Sequence, residues 1–347
     1  MPGTHEEERL TLSSFLPQGT VIRSLLRSMK EGTCVHAYLI SGSEGYGKRT
    51  LGRLMAQFFL CEREENRPCG VCAACQQLRS GMHPDLLLVR PGRKISSDEE
   101  TETGKHAITV TTIREVIERV STHAYEGRGK VVLIQDAEQM NPQAQNALLK
   151  TLEEPPADTY FLLLTQSPGQ LLPTVVSRCR PLALHAWNDT VITRVLQKQG
   201  VDAQRLKRIL YLSEGSVGKA IQLAGDEDYW KQRERVRDGF LGIESRSDGF
   251  ALAASLREKR TEALQSLDLL EDMLRMLAFV HFGRLDASLI DDYPMAWKRM
   301  AQEGNDRDFL HLLDAVSEAR NALQRQVNLQ AVLERLLLRM MEEKVKW

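Results

Sequence analysis

The chain lacks a large excess of charge of either sign, and it lacks any long apolar run. Its 46 lysines and arginines nearly balance 47 acidic residues, which excludes a global positive field that would attract nucleic acid or acidic membranes. Contact with DNA would therefore have to be local or come through a partner. The longest apolar runs, such as Val131–Ile134 and Tyr160–Thr165, are far shorter than the ~20 residues that span a bilayer.

The chain also lacks the marks of a secreted protein. Glu6, Glu7 and Glu8 give its first ten residues the wrong charge for a secretion signal, so a cytoplasmic protein is expected. Six cysteines among 347 residues do not make a disulfide framework. The hydrophobic fraction of 42% and charged fraction of 27% are typical of a soluble protein, and the length predicts two or three domains.

The first half of the chain alternates apolar strands with helical patterns, which predicts a parallel sheet covered on both faces. The polar stretch Arg93–His106 is interpreted as a mobile surface loop. The predicted strands are Ala37–Ser41, Leu86–Val89, Val131–Ile134 and Phe161–Thr165. The predicted helices are Thr20–Lys30, Lys48–Cys61, the segment marked by Ile113 and Val120, and Pro142–Leu152 after the cap Asn141.

After about Leu184 the strand signals stop and helical patterns continue to the end. The expected plan is an α/β domain over residues 1–184, a small helical domain over 185–226 and a larger helical domain over 227–347. The predicted helices in this part include Val191–Gln199, Gln204–Ser213, Lys219–Ala224, Thr261–Phe282 and Phe309–Val345.

A glycine-rich loop stands where a phosphate-binding loop belongs, between a predicted strand and a predicted helix. Gly42, Gly45, Gly47 and Lys48 fit that role, because glycines let backbone N–H groups wrap phosphates and the lysine reaches the β/γ oxygens. Arg49 occupies the position of the hydroxyl that binds Mg²⁺. The next residue, Thr50, lies ~100° further around the helix and points away. A strand–helix turn without nucleotide therefore stays open as the alternative.

The acidic motif that would accompany such a loop is also altered. Asp136 follows the strand Val131–Ile134 and could hold Mg²⁺, but Ala137 stands where a hydrolysing enzyme has the glutamate that orients water. A methyl group cannot polarise water. The sequence therefore indicates that hydrolysis at this chain's own site is lost.

Four cysteines within fifteen residues form a strong metal-binding pattern, Cys61-x7-Cys69-x2-Cys72-x2-Cys75. Four thiolates in one short loop suit a tetrahedral Zn²⁺ ion, and with four protein ligands the metal would be structural. An iron–sulfur cluster is the rival, although the nearby Cys-Pro of ferredoxins is missing, and unligated thiols are a further alternative. His83 could be an alternative ligand or could form the turn before the next strand.

The predicted α/β domain closes on Ser177-Arg178-Cys179. A surface ion pair for Arg178 and a core position for Cys179 is the plain interpretation. An arginine at a domain edge can also act as a finger on a neighbour's γ-phosphate, where its planar fork stabilises transition-state charge. The residues alone do not decide between these two roles.

Taken together, these motifs and the segment Asn146-Ala-Leu-Leu-Lys-Thr-Leu-Glu-Glu-Pro-Pro156 resemble the bacterial DNA polymerase III clamp loader, and more narrowly its delta-prime subunits. The resemblance covers roughly residues 15–225. It implies a RecA-like AAA+ α/β domain with an inserted zinc module at 61–75, a helical lid and an all-α collar. It also implies partners: the delta and gamma/tau subunits in a five-subunit ring, the sliding clamp, and primer–template DNA through the complex.

The resemblance assigns roles to individual residues. Asp136 falls at the Mg²⁺-binding position, Thr165 at a sensor of the γ-phosphate, and Gly218 where motor subunits carry a lid arginine. Arg178 would be the finger that acts in trans. A buried collar face would join the chain to other subunits, unless its residues are simply the domain's own core. That face comprises Leu267, Leu270, Met273, Leu274 and Leu277.

The resulting hypothesis is a non-hydrolysing stator, an accessory subunit without independent catalysis, whose own ATP or ADP binding is doubtful. One alternative is an ATP-hydrolysing motor subunit of the gamma/tau type, with Thr50 replacing the lost hydroxyl. Another is a zinc-stabilised adaptor that binds DNA directly, which the near-zero net charge disfavours.

Overall fold

The computed structural model describes residues 19–97, 99, 107–125, 128–256 and 259–344. They fall into two compact units. One comprises the chain to Ile192 together with Ser213–Lys219, and the other comprises Thr193–Leu212 and the chain from Ala220 onward. No helix among the described residues is long and apolar enough to cross a membrane. The three-part division expected from the sequence stays a prediction.

A five-stranded parallel sheet forms the centre of the first unit, in the order β2-β3-β4-β1-β5. The four strands expected from their apolar runs are present, and their side chains are buried toward both faces. The parallel, doubly covered sheet predicted from these runs is confirmed. The strands are β1 (Ala37–Ser41), β2 (Leu86–Val89), β3 (Lys130–Ile134), β4 (Thr159–Thr165) and β5 (Arg180–Ala183).

The edge strand β5 was not predicted from the sequence. It contains Pro181, which lacks an N–H group, and its alternation is weak because only Leu182 is buried. Proline is tolerated in a sheet at an edge, where one side of the strand has no neighbour. The strand forms because β1 supplies a parallel partner, with Leu39 opposite Pro181.

Helices cover both faces of this sheet. The core on one face includes Ile22, Leu54 and Ile40, and the core on the other includes Ile113, Leu148 and Leu39. The helices predicted in this half of the chain are all present, and α3 and α6 are additional. The helices are α1 (Gly19–Glu31), α2 (Lys48–Leu60), α3 (Ala73–Ser80), α4 (Val110–Ser121), α5 (Pro142–Glu153) and α6 (Pro173–Val176).

The stretch expected to be a mobile surface loop is folded against the sheet where it is described. Ile95 is buried. The Ser96 hydroxyl accepts from the N–H of Leu88 and donates to the carbonyl of Leu86, at 3.1 and 3.0 Å. A single apolar residue in a polar segment was too weak a signal to predict this contact. Residues 98 and 100–106 of that stretch lie outside the described residues.

The rest of the described chain is helical. All five residues suggested as a collar face, from Leu267 to Leu277, are buried in the second unit's own core, so that suggestion was wrong for them. The helices are α7 (Asp189–Gln197), α8 (Ala203–Ser213), α9 (Val217–Gly225), α10 (Glu227–Val236), α11 (Arg246–Ser255), α12 (Arg260–His281), α13 (Met295–Glu303), α14 (Asp306–Gln324) and α15 (Leu329–Lys344).

A charge cluster inside the second unit is centred on Asp292. Its carboxylate accepts from Arg208 at 2.5 Å and from Arg237 at 2.8 Å, and Arg233 lies at 3.8 Å. Removing the carboxylate that these three half-buried or buried guanidinium groups share would leave their positive charges close together without it. Asp292 therefore holds together α8, α10 and the segment that follows α10.

Candidate functional site

The loop between β1 and α2 has the backbone shape of a phosphate-binding loop. Gly42, Gly45 and Gly47 have positive φ angles of 148°, 73° and 103°, which residues with side chains rarely adopt. Gly47 is the cap residue of α2 and offers no side chain to the N–H groups at the start of that helix. The loop backbone is thus compatible with an anion at a helix N-terminus.

The lysine of this loop is already engaged by the loop itself. Lys48 is buried, and its Nζ donates to the carbonyl oxygens of Gly42 and Ser43 at 2.6 and 2.9 Å. Burial lowers the pKa of Lys48, and the nearby Asp136 carboxylate partly opposes that shift. The ammonium group that would meet phosphate oxygens instead satisfies two carbonyls of its own loop.

Arg49 lies close to the carboxylate that would hold Mg²⁺. Its guanidinium is 3.7 Å from Asp136 Oδ2, with the two side chains 67% and 33% exposed. So exposed a pair contributes at most about 1 kcal/mol, but it places a fixed positive charge beside the metal-binding position. Thr50 is exposed on α2; that it points away from the metal position stays a prediction.

Ala137 and Thr165, which were assigned to this site, and Glu138, which follows Ala137, are buried or bonded to neighbouring backbone. Ala137 is fully buried, and the Glu138 carboxylate accepts from the N–H of Gln166 at 3.0 Å. Thr165 pairs with Ser41 at the carboxyl end of the sheet, so it lies beside the start of the loop. Its hydroxyl is buried and accepts from the N–H of Ser167 at 3.1 Å.

The turn Ser213–Lys219 packs directly on the tip of the phosphate loop. The N–H of Gly218 donates to the carbonyl of Gly45 at 3.1 Å. A Cβ at Gly45 would lie 2.0 Å from Ser216 Oγ, and a Cβ at Gly218 would lie 2.8 Å from the Cα of Gly45. The approach is therefore possible only because both positions are glycine. Trp187 adds a further bond, from its Nε1 to the carbonyl of Tyr46 at 3.1 Å.

The four clustered cysteines converge on one point. All four Sγ atoms lie within 4.8 Å of one another, and those of Cys61 and Cys72 are 3.9 Å apart. Tetrahedral ligands 2.3 Å from a zinc ion would be roughly 3.8 Å from each other. Cys61 ends α2, Cys72 is the N-cap of α3, and Cys75 lies in the first turn of α3.

Backbone groups support a negative charge on these sulfurs. The N–H of Cys72 donates to Cys69 Sγ at 3.3 Å, and the N–H of Cys75 donates to Cys72 Sγ at 3.4 Å. Although burial opposes it, hydrogen bonds from Val71 and Cys72 lower the pKa of Cys69 to about 6. Burial raises the pKa of Cys61 and of Cys75, so a dication is the natural counter-charge for the full set of thiolates.

The donor set and geometry therefore fit one metal ion bound by four sulfurs. The Glu62 carboxylate accepts from the N–H of Ala74 at 2.9 Å, which fixes the start of α3 beside the cluster. His83 lies outside the four-cysteine group. Its Nδ1 accepts from the N–H of Asp85 at 3.1 Å, so it forms the turn before β2.

Arg178 follows the one-turn helix α6. Its side chain is 31% exposed; it forms an ion pair with Glu153, and its NH1 donates to the carbonyl of Thr174 at 2.8 Å. It also lines a groove of about 650 Å³ together with Arg180 and His36. Burial raises the pKa of the adjacent Cys179 to about 12, so that thiol is a neutral core group.

Comparison with known proteins identifies the family. The family described as "DNA polymerase III, delta subunit" matches residues 17–188. The DNA polymerase III subunit delta′ of Bacillus subtilis (strain 168) is 29% identical over 331 residues, covering 94% of this chain and 96% of that protein. The delta′ subunit of Escherichia coli (strain K12) is 34% identical over 244 residues, covering 69% of each. The chain belongs to the DNA polymerase III delta′ family.

Tau subunits of DNA polymerase III also match this chain, but over a smaller share of both sequences. The DNA polymerase III subunit tau of Escherichia coli (strain K12) is 32% identical over 220 residues, covering 61% of this chain and 32% of that protein. The delta′ relatives from Bacillus and Escherichia cover larger shares of both chains, so membership of the delta′ family is the better description.

In this delta′ family member the predicted nucleotide residues lie at the carboxyl ends of the strands, and Arg178 lies at the amino ends. Gly42 follows the carboxyl end of β1, whereas Arg178 precedes the amino end of the parallel strand β5. The four cysteines form a separate group at the end of α2. The functional roles of all these residues stay predictions.

Several contacts of this delta′ site were missed from the sequence. The seating of Ser216 and Gly218 on the phosphate loop had a possible signal in the small residues of Glu214-Gly-Ser-Val-Gly218. The bond from Trp187 and the Glu153–Arg178 pair had none, because both join positions far apart in the chain. Such pairs can be recognised only once the sheet has fixed the relative positions of its helices.

Proposed function

We propose that this chain is a non-hydrolysing, delta′-type subunit of the bacterial DNA polymerase III clamp loader, which places the sliding clamp on primed DNA. In this proposal Arg178 completes the ATP site of an adjacent motor subunit in trans. The chain itself acts as a stator, a rigid face against which its neighbours move when they bind ATP.

The observation that carries the proposal is the separation of Arg178 from this chain's own phosphate loop. Tyr38 pairs with Arg180 near the amino ends of β1 and β5, and Ser41 pairs with Ala183 at their carboxyl ends. Three residue steps at ~3.3 Å put these two levels about 10 Å apart. Arg178 precedes the first level, and the phosphate loop follows the second. A phosphate that meets this guanidinium therefore belongs to another chain.

The state of the chain's own loop supports the second half of the proposal. Lys48 is bonded to loop carbonyls, Arg49 lies beside Asp136, and Gly218 seats the turn Ser213–Lys219 on Gly45. A nucleotide would have to displace these contacts before it could bind. Even then, the buried methyl group of Ala137 offers no base for water.

The test is DNA-stimulated ATPase activity of the reconstituted complex containing Arg178→Ala. Turnover should fall while assembly is intact. An arginine finger is worth about 10³–10⁵ in rate at the site it serves, and the fractional loss is smaller in a ring with several sites. Arg119→Ala, which removes an exposed arginine paired within α4, is the matched control. Normal turnover with Arg178→Ala would contradict the role in trans.

The proposed partners are the delta and gamma/tau subunits in a five-subunit ring, the sliding clamp, and primer–template DNA reached through the complex. A cytoplasmic location follows from this role. The supporting measurement is co-purification with those subunits, followed by a clamp-loading assay from which this chain is omitted. Loading at the full rate without it would rule out the proposed role.

The metal is proposed to be a structural Zn²⁺ held by Cys61, Cys69, Cys72 and Cys75. Because all four ligands come from the protein, no position remains for a reacting water. Bound zinc would supply the positive charge that keeps the four sulfurs together, and it would tie the end of α2 to α3. Metal analysis of the purified protein should give one zinc per chain, and iron with visible absorbance would contradict this.

A motor subunit of the gamma/tau type is the second candidate. The retention of Lys48 and Asp136 and the match to a tau subunit favour it. ATP turnover by the isolated chain, abolished by Lys48→Ala, would establish it. We expect no ATP turnover above background from the isolated chain or from its Lys48→Ala variant.

A further inference from the structure

We infer that Glu153 is the positioning residue for Arg178, so that helix α5 sets the direction of the arginine. The inference rests on the proposed function in trans and adds a residue to it. Glu153 would touch neither ATP nor the reacting atoms. It would act through the guanidinium that it holds.

The segment that carries Arg178 cannot orient itself. Helix α6 has only four residues, Pro173–Val176, and a single helical turn is not stable on its own. The direction of a side chain just after that turn therefore depends on contacts with the rest of the unit. Val175 and Cys179 are buried in the core and anchor the backbone, and the segment itself gives the Arg178 side chain one bond, to the carbonyl of Thr174.

Helix α5 contacts this segment at two places. Near its beginning, the buried Gln145 accepts from the N–H of Leu172 at 2.7 Å, immediately before α6. The same side chain donates to the carbonyl of Met140 at 2.9 Å. At its end, the Glu153 carboxylate pairs with Arg178, immediately after α6. One helix thus holds the short turn on both sides.

The position of Glu153 is unfavourable for the helix alone. It is the last residue of α5, which stops because Pro155 and Pro156 follow closely and cannot continue it. A negative charge at a helix C-terminus opposes the helix dipole. The ion pair with Arg178 offsets this unfavourable interaction. Glu153 therefore stabilises the structure through its contact with the arginine and not through the helix.

The two anchors leave part of the guanidinium available. A guanidinium has five N–H donors; in the described residues one bond runs to Thr174 and one to Glu153, and the buried Nε has no partner. Two bonds on different nitrogens fix the plane of the group. The groove that Arg178 lines leaves room for an incoming anionic group beside it, so donors remain for a neighbour's phosphate.

The experiment is a double-mutant cycle in the reconstituted clamp-loader complex, read as kcat and KM for DNA-stimulated ATP hydrolysis. Glu153→Ala should slow the one site that Arg178 serves by up to about fivefold, the effect of losing one part-exposed charged pair. The kcat of the whole ring should fall by a smaller fraction that does not exceed the loss with Arg178→Ala, with KM for ATP and assembly unchanged. Glu153→Gln, which keeps an acceptor oxygen, should recover part of the loss. Glu154→Ala, one residue further on and outside the helix, is the matched control and should behave as the unaltered protein.

The decisive comparison is made in the Arg178→Ala background, where Glu153→Ala should have no further effect. An unchanged or increased kcat with Glu153→Ala alone would overturn the inference. So would an equal loss of kcat when Arg178 is already absent, because Glu153 would then act by another route. If Arg178→Ala itself leaves turnover unchanged, the proposed role of Arg178 in trans is wrong. If Arg178→Ala lowers turnover but Glu153→Ala does not, only the positioning role of Glu153 is wrong.

Discussion

The contact between the phosphate loop and the turn Ser213–Lys219 can be tested by adding one methyl group. Gly45→Ala would place a Cβ 2.0 Å from Ser216 Oγ, far inside the contact distance of these atoms. Ser216 is buried and its hydroxyl accepts from the N–H of Lys219 at 3.1 Å, which makes it the cap of α9. The serine hydroxyl therefore cannot move without giving up that bond.

The expected cost has three parts. Alanine at the φ of +73° found for Gly45 costs about 1 kcal/mol relative to glycine. Loss of the Ser216 cap adds about 1 kcal/mol, and residual overpacking adds about 1 kcal/mol or more. We expect Gly45→Ala to lower the free energy of unfolding of its unit by about 3 kcal/mol.

Urea unfolding of the isolated chain measures this change, with Gly169→Ala as the matched control. A Cβ at Gly169 meets nothing within 4 Å, and its φ is not positive, so that variant should change the unfolding free energy by less than about 0.5 kcal/mol. The double variant Gly45→Ala with Ser216→Ala removes the clashing oxygen. It should be less destabilised than the sum of the two single variants.

Two results would refute this reasoning. One is a Gly45→Ala variant as stable as the Gly169→Ala control. The other is strict additivity of Gly45→Ala and Ser216→Ala, since independent effects would mean that the two residues do not meet. Either result would mean that the contact between the turn Ser213–Lys219 and the phosphate loop does not oppose nucleotide binding.

Three further predictions concern stability and the metal. Asp292→Ala should lower the free energy of unfolding by about 3 kcal/mol in urea, because three guanidinium groups lose their shared carboxylate, whereas the exposed neighbour Asp291→Ala should change it little. Cys75→Ser or a chelator should remove the metal and lower the thermal midpoint, whereas Cys34→Ser, outside the cluster, should retain the metal on elemental analysis. Burial raises the pKa of Cys179 from 9.0 to about 12. Below pH 9 the thiol is therefore neutral in both the folded and the unfolded chain, and its contribution to the free energy of unfolding is complete. That contribution is lost at up to about 1.4 kcal/mol per pH unit as the pH rises toward 12, and Cys179→Ala should remove this part of the alkaline slope.

The elements predicted most accurately are those with a strong local cause. The strands β1 to β4 are continuous apolar runs, and α5 begins at Asn141, whose side chain accepts from the N–H of Ala144 at 2.8 Å. Edge strand β5 and the fold of the segment around Ile95 were missed because their cause is a partner strand and not their own pattern. The helical face from Leu267 to Leu277 shows the same limit. Its periodicity indicates burial, but periodicity does not say against what.

The candidate sites divide in the same way. The spacing of four cysteines was sufficient to predict a metal-binding group, because a short loop can bring thiols together whatever surrounds it. The altered phosphate loop was also visible, since Arg49 and Ala137 stand at positions with a defined chemistry. The pairing of Arg178 with Glu153 was not visible, because 25 residues separate them and only the packing of α6 against α5 joins them.

The sequence by itself determined which chemical groups are present: a cluster of four cysteines, a loop with a lysine but no metal hydroxyl, and an arginine beside a cysteine. Only the tertiary structure decided where those groups can act. In a parallel sheet the carboxyl ends of all strands lie at one edge and the amino ends at the other. The loop after β1 and the arginine before β5 are therefore held a strand's length apart, a separation that no local pattern encodes.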